Sequence, residues 1–218
     1  HVDDYIASTH RGHGHIIAKG GDLARCMAEL YGKRDGYCKG KGGSMHIADM
    51  NLGIIGAIGI VGAGIPLAVG AALSAKLRGT KQAAVAFFGE GAANEGSFHE
   101  SLNLAAIWSL PIVFLCENNG YSELTPMTEL TALGQIVQRA DAYGIPGEQV
   151  DGNDAYAVFA VACQAVARAR RGEGPPLIEA LTYRIHEHSE GLTAVVGQTR
   201  PQVEIDAWRE RDPIPRHR

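Results

Sequence analysis

Two short, wholly apolar runs, residues 83–88 (AAVAFF) and 110–116 (LPIVFLC), each give way at once to a polar turn rich in Gly or Asn. A run of this length without alternation is what a strand buried on both faces requires. Between them residues 97–108 have helical spacing. The same reading predicts helices over 22–31, 65–77, 129–143 and 153–171. Asp22 supplies an N-terminal carboxylate and Gly32 a stop for the first, and Pro66 sits in the first turn of the second. A short strand is expected around 148–150 and another over 177–184 (LIEALTYR). Residues 36–43 and 53–64 read as glycine loops. From Ser189 the chain reads as an irregular loop and tail, with a short helix near 201–211. Strands alternating with helices give a three-layer α/β fold, a mainly parallel sheet covered on both faces. One domain is expected over 1–218.

Composition removes several function classes. The net charge is -4 with dispersed charges, so no nucleic-acid surface is expected. Arg168, Arg170 and Arg171 form the one basic cluster, at a predicted helix end where cations complement the dipole. Four cysteines, Cys26, Cys38, Cys116 and Cys163, form no CxxC pair, which argues against zinc and disulfide frameworks and for a reducing cytoplasm. Residues 50–75 carry no charge and are long enough to span a bilayer. Their six glycines instead predict a loop followed by a small-residue helix buried in protein, and no membrane association is expected. No signal peptide is visible, and the start at His1 leads us to expect a missing upstream portion.

Ligands of open parallel sheets bind at the carboxyl ends of the strands. Glu90 lies just beyond the strand at 83–88, between glycines, and Asn119 just beyond the one at 110–116. In neighbouring strands these ends would sit about 5 Å apart. The Glu90 carboxylate, an Asn119 amide oxygen and a backbone carbonyl such as that of Tyr121 could then share one hard cation. Mg2+ held in this way keeps open positions for phosphate oxygens, toward which the helix following Gly91 would point its N-terminus. Taken singly, GEG and NNG are also ordinary turns. His10, His13 and His15 could pass for metal ligands, but no carboxylate or cysteine completes a set.

The segment from GEG to ENNGY resembles the thiamine-diphosphate motif, a Gly-Asp-Gly followed by Asn-Asn. THRGHGH, GKGGSMHIAD, GIVGAGIPLAVG, VDGND and YRIHEHS resemble the alpha subunits of pyruvate, branched-chain 2-oxoacid and acetoin dehydrogenases, in the family's order from Tyr5 to Ile214. The resemblance implies a thiamine-diphosphate-binding fold with thiamine diphosphate and Mg2+ as cofactors. It implies His10 and Arg11 at the diphosphate, Gly59 and Val61 beside the aminopyrimidine, and Gly91 and Ala92 next to the phosphates. Glu90, Asn119 and the Tyr121 carbonyl would be the metal ligands. Arg184 and His188 would close over the diphosphate, and His13 would stabilise charge on the substrate side, giving His13 and His188 catalytic roles. The implied reaction is decarboxylation of a 2-oxoacid or cleavage of acetoin, with acyl transfer to a lipoyl-bearing acyltransferase. A beta subunit would complete a heterotetramer and supply the activating glutamate, so a lone chain is expected to turn over little. Self-association is the other expected assembly.

The chain departs from the family pattern at three places. Glu90 replaces the family's Asp, and the added methylene moves the carboxylate outward by roughly 1.5 Å, a C–C bond length. SEGLTAVVGQTR after His188 lacks the Ser-Asp-Pro run, so regulatory phosphorylation is not expected there. A segment ahead of the Arg-Gly-His motif and one after Ile214 are expected to be absent. The alternative reading is therefore a shortened, non-catalytic relative that keeps the fold and binds cofactor or partner only.

Overall fold

A computed structural model describes residues 1–189, 191, 195 and 197–217. Its centre is a six-stranded sheet in the order β2-β1-β3-β4-β8-β7. The strands are β1 (Tyr5–Thr9), β2 (Ile54–Ile58), β3 (Ala84–Gly89), β4 (Ile112–Asn118), β7 (Gly147–Asp151) and β8 (Leu177–Leu181). Every pairing between them is parallel. A separate two-stranded hairpin, β5 (Tyr121–Ser122) with β6 (Thr125–Pro126), stands at the carboxyl edge.

Side-chain alternation along β3 and β4 divides the core in two. Ala84, Ala86, Phe88, Ile112, Phe114 and Cys116 face a layer made by α3 (Gly64–Leu77) and α4 (Gly96–Ile107), with 3-10 turns at 136–143. On that face Ala68 and Ala72 of α3 meet Ala7, Ala84 and Ala86, and small side chains on both surfaces let helix and sheet approach closely. Val113, Leu115, Ile178 and Ala180 face α6 (Ala155–Arg170) on the other side. There Ile6 and Ile54 pack with Ile16 of α1 (His13–Ala18) and Cys26 of α2 (Leu23–Leu30). Each fully buried Ile, Leu or Phe stabilises the fold by about 1.5–3 kcal/mol. The three-layer α/β reading therefore holds.

Residues 50–75 become β2 and α3, both packed into the core, and no helix among the described residues is long and apolar enough to cross a membrane. β2 lies inside the stretch read from sequence as a glycine loop, and β1 and α1 occupy a region given no element there. The helix expected over 129–143 is not continuous. A single turn, α5 (Met127–Leu130), ends where Thr131 turns extended, and Gln135 is extended again before the chain restarts at Ile136. Gly134 lies between them, and the N–H groups of Ile136 and Val137 are drawn off to the buried Glu179 carboxylate. The expected strand over 177–184 stops at Leu181, and the short helix near 201–211 is α7 (Gln202–Arg209), with a last turn α8 (Pro213–Arg216). Of the loop expected after Ser189, residues 190, 192–194 and 196 lie outside the described residues, as does 218.

Candidate functional site

β1 connects to β2 on one side of the sheet, whereas β3 connects to β4 on the other. The carboxyl ends of β1 and β3 thus part at a topological switch point, the place where an open α/β sheet forms a crevice. A cleft opens there. His10, Arg11, Val61, Glu90, Gly91, Ala92, Asn119, Tyr121, Arg184 and His188 all line it.

One rim of the cleft is cationic. Arg11 donates from Nη1 to His10 Nε2 at 2.9 Å and from Nη2 to the carbonyl of His188. Arg184 Nη1 donates to His188 Nδ1 at 3.1 Å, and its Nη2 reaches the Glu123 carbonyl at 2.6 Å. The His10 and His188 rings lie 5.5 Å apart. Burial, then the nearby Arg11 and Arg184 guanidiniums, hold both imidazoles below their ordinary value. Burial and the Arg200 and Arg11 charges likewise lower Arg184. The two guanidiniums crowded around one opening repel each other and disfavour a proton on either imidazole, and an anion placed between them relieves both effects.

The other rim carries Glu90, 2% exposed. Its Oε2 accepts the Asn119 backbone N–H at 3.1 Å and Asn119 Nδ2 at 3.4 Å, and the Tyr121 N–H also bonds to the carboxylate. Burial pushes the Glu90 carboxyl up, against the opposing pull of these amides and of Arg184. Asn119 Oδ1 is buried and has no hydrogen-bond partner. An unpartnered buried amide oxygen beside a buried carboxylate is a donor set that fits a hard cation, which would satisfy both oxygens at once. Among the described residues no group of three or more His, Cys, Asp or Glu is placed to hold a metal. A metal here would therefore also use oxygens of the Asn-Asn-Gly-Tyr turn. Tyr121 turns its phenol away to Glu204, at 3.0 Å from each carboxylate oxygen, and burial with that acceptor pushes it up to about 12.

Gly91 has a steric reason. A Cβ there would lie 2.3 Å from Ser122 Oγ, so the hairpin can close onto the cleft floor only against glycine. Two expected site residues stand outside the cleft lining. Gly59 is flanked by the lining residues Ile58 and Ile60 but backs onto His46, whose Cε1 a Cβ would approach to 3.0 Å. His13 sits at the start of α1 and meets Ser44 Oγ through Nε2 at 3.2 Å.

Three charged residues that hold the site's loops escaped the sequence reading. Glu29, 1% exposed, accepts the N–H groups of Cys38, Gly40, Gly42 and Gly43, so the 36–43 loop is wrapped around one carboxylate. Arg200, 3% exposed, donates to the carbonyls of Arg184 and Ile185 at the base of the His188 segment. Glu179 is fully buried in β8, where its place in the apolar run LIEAL was the one available signal.

Comparison with known proteins identifies the family. The model of the dehydrogenase E1 component family matches residues 1–218. The alpha subunit of acetoin:2,6-dichlorophenolindophenol oxidoreductase from Bacillus subtilis (strain 168) is 59% identical over 191 residues, covering 88% of this chain and 57% of that protein. The Cupriavidus necator protein of the same name is 55% identical over 188 residues, covering 86% and 56%. The pyruvate dehydrogenase E1 component subunit alpha of Porphyra purpurea is 43% identical over 218 residues, covering 97% and 62%. The chain thus spans somewhat over half the length of these curated relatives.

Proposed function

The chain belongs to the dehydrogenase E1 component family, and on that premise we propose that it is the alpha-type subunit of a thiamine-diphosphate-dependent dehydrogenase. The observation that carries the reading is the two-sided cleft. Arg11, Arg184, His10 and His188 offer positive charge on one rim, and Glu90 with the unpartnered Asn119 Oδ1 offers a cation site on the other. A diphosphate with Mg2+ would suit both rims, with Glu90 and Asn119 holding the metal and Arg11 and Arg184 the anionic group.

When bound, thiamine diphosphate supplies a nucleophilic ring carbon and an electron sink for breaking the bond next to a carbonyl. This chain's residues bind and orient. Arg11 and Arg184 take the diphosphate oxygens, and His10 and His188 become protonated donors once an anion offsets the neighbouring arginines. Glu90 and Asn119 hold the metal, with Tyr121 contributing its carbonyl. Gly91 and Ala92 bring backbone close to the phosphates. Ile60 and Val61, both exposed at the cleft mouth, offer an apolar wall for the ring system. His13 serves the substrate side from outside the cleft lining.

Identity to the two acetoin oxidoreductase subunits, 59% and 55%, exceeds the 43% to the pyruvate dehydrogenase subunit, and favours acetoin over a 2-oxoacid. A beta-type subunit completes the site, and the acyl product passes to a lipoyl protein. The test is reduction of 2,6-dichlorophenolindophenol by this chain mixed with beta-type subunits of each class. Acetoin-driven reduction well above that with pyruvate supports the reading. Pyruvate-driven reduction alone would reassign the substrate, and no reduction with any partner would overturn the catalytic role.

A further inference from the structure

Glu179 lies in the middle of β8, fully buried and flanked by the core residues Ile178 and Ala180. The four groups that donate to it are all uncharged. Oε1 accepts Asn118 Nδ2 at 2.6 Å and the Ile136 N–H at 3.1 Å, and Oε2 accepts the Val137 N–H at 3.1 Å and Gln149 Nε2 at 3.0 Å. Burying a carboxylate without a counter-cation is expensive, and an apolar residue would fill the same space at lower cost. The position therefore calls for a property that only an acceptor-only side chain has.

Asn118 shows what that property is. It is 5% exposed and immediately precedes Asn119. Its Nδ2 faces Glu179, which leaves Oδ1 to accept the Gly120 N–H at 2.9 Å. An asparagine amide rotated by half a turn exchanges its oxygen and nitrogen. A carboxylate cannot donate, so it accepts only the nitrogen end and thereby fixes which end faces Gly120. Gly120 has φ +83, and the turn it closes presents Asn119 to Glu90.

We propose that Glu179 is a positioning residue that locks the Asn118 amide and, through it, the turn presenting Asn119 to the metal position beside Glu90. This rests on the reading of the cleft as a metal-dependent diphosphate site. Glu179→Gln keeps the size but offers one acceptor oxygen instead of two, so one pair of donors is lost and the Asn118 amide is freed to rotate. Adding Gln149→Glu gives the new amide nitrogen an acceptor at the exposed end and returns its oxygen to Asn118.

Hydrogen exchange on the ligand-free chain reads the turn, and Mg2+ titration reads the site. In Glu179→Gln the Asn119 and Gly120 amides exchange about tenfold faster, whereas the Ile6 and Ala7 amides of β1 keep their rates. Mg2+ affinity in the presence of thiamine diphosphate falls by about 10–100-fold, as for other residues behind metal ligands. The double variant Glu179→Gln/Gln149→Glu recovers both. Exchange that accelerates equally in β1, or stays unchanged at Asn119 and Gly120, overturns the positioning role. A wild-type chain that binds no Mg2+ overturns the metal reading instead, so the two failures are told apart.

Discussion

Replacing Glu29 by glutamine keeps the side chain's size and removes its charge and one of its two acceptor oxygens. In the native loop Oε1 accepts the Gly42 and Gly43 N–H groups at 2.7 and 3.1 Å, and Oε2 accepts those of Cys38 and Gly40 at 2.8 and 2.9 Å. A glutamine can serve one of these pairs, while its NH2 confronts the other pair donor to donor. Losing two charge-assisted bonds at about 1.5–3 kcal/mol each, after partial relaxation, gives a destabilisation of roughly 3–5 kcal/mol. For a chain of this size that lowers Tm by about 6–20 °C. The assay is urea or thermal unfolding of both proteins from pH 7 downward. Burial alone would raise the Glu29 carboxyl, but the four amides outweigh it and hold it below the ordinary 4.5. A depressed carboxylate contributes fully above its unfolded value and loses that contribution as pH falls through the folded one. The gap between wild type and Glu29→Gln therefore stays constant above about pH 4.5 and narrows only below it. A variant within 1 kcal/mol of wild type at pH 7 (about 1 kcal/mol being the worth of one ordinary hydrogen bond), or a gap that persists undiminished into strong acid, would show that Glu29 does not hold the loop as a charged acceptor.

Other outcomes follow from the cleft. Arg184→Ala weakens thiamine diphosphate binding by about 10–100-fold, the worth of a charge-assisted bond, as read by calorimetry; an unchanged Kd would remove Arg184 from the diphosphate site. His10 and His188 lie below their ordinary value in the free chain, and a bound anion raises them, so binding takes up protons. Affinity thus increases as pH falls through the bound-state values and levels off below the free-state ones, and binding heats that do not vary with the buffer's ionisation enthalpy would contradict it. Gly91→Ala drives a methyl into Ser122 and loses cofactor binding, whereas Gly91→Ala with Ser122→Gly restores it, because both contacts under 3.0 Å are to the Ser122 side chain. Failure of that rescue would show that the hairpin is not what Gly91 accommodates.

What the sequence made legible was whatever a single stretch of chain declares. β3 and β4 stand out because six or seven consecutive apolar residues end in a polar turn, and those turns carry Glu90 and Asn119. β1, by contrast, reads YIAST, with Ser8 and Thr9 at its end, and β2 reads IIGAI inside a glycine-rich stretch, so neither carries the run that marks a strand. The continuous helix expected over 129–143 failed because a tertiary partner, Glu179, captures the amides at Ile136 and Val137. Glu29, Glu179 and Arg200 illustrate the same limit. Each acts on backbone brought to it by the fold, Arg200 across 16 residues to the Arg184 carbonyl and Glu179 across 43 to the Ile136 N–H. Nothing in local spacing announces such a partner, apart from a charged residue where the pattern calls for an apolar one.

Calorimetric titration of the wild-type chain with thiamine diphosphate, with and without Mg2+, bears most directly on the proposed cleft. Saturable binding that requires Mg2+ and is abolished by Glu90→Ala is expected, since the carboxylate and the unpartnered Asn119 oxygen form the proposed cation site. Binding that ignores Mg2+, survives Glu90→Ala, or is absent up to millimolar ligand even with a beta-type subunit present would contradict it.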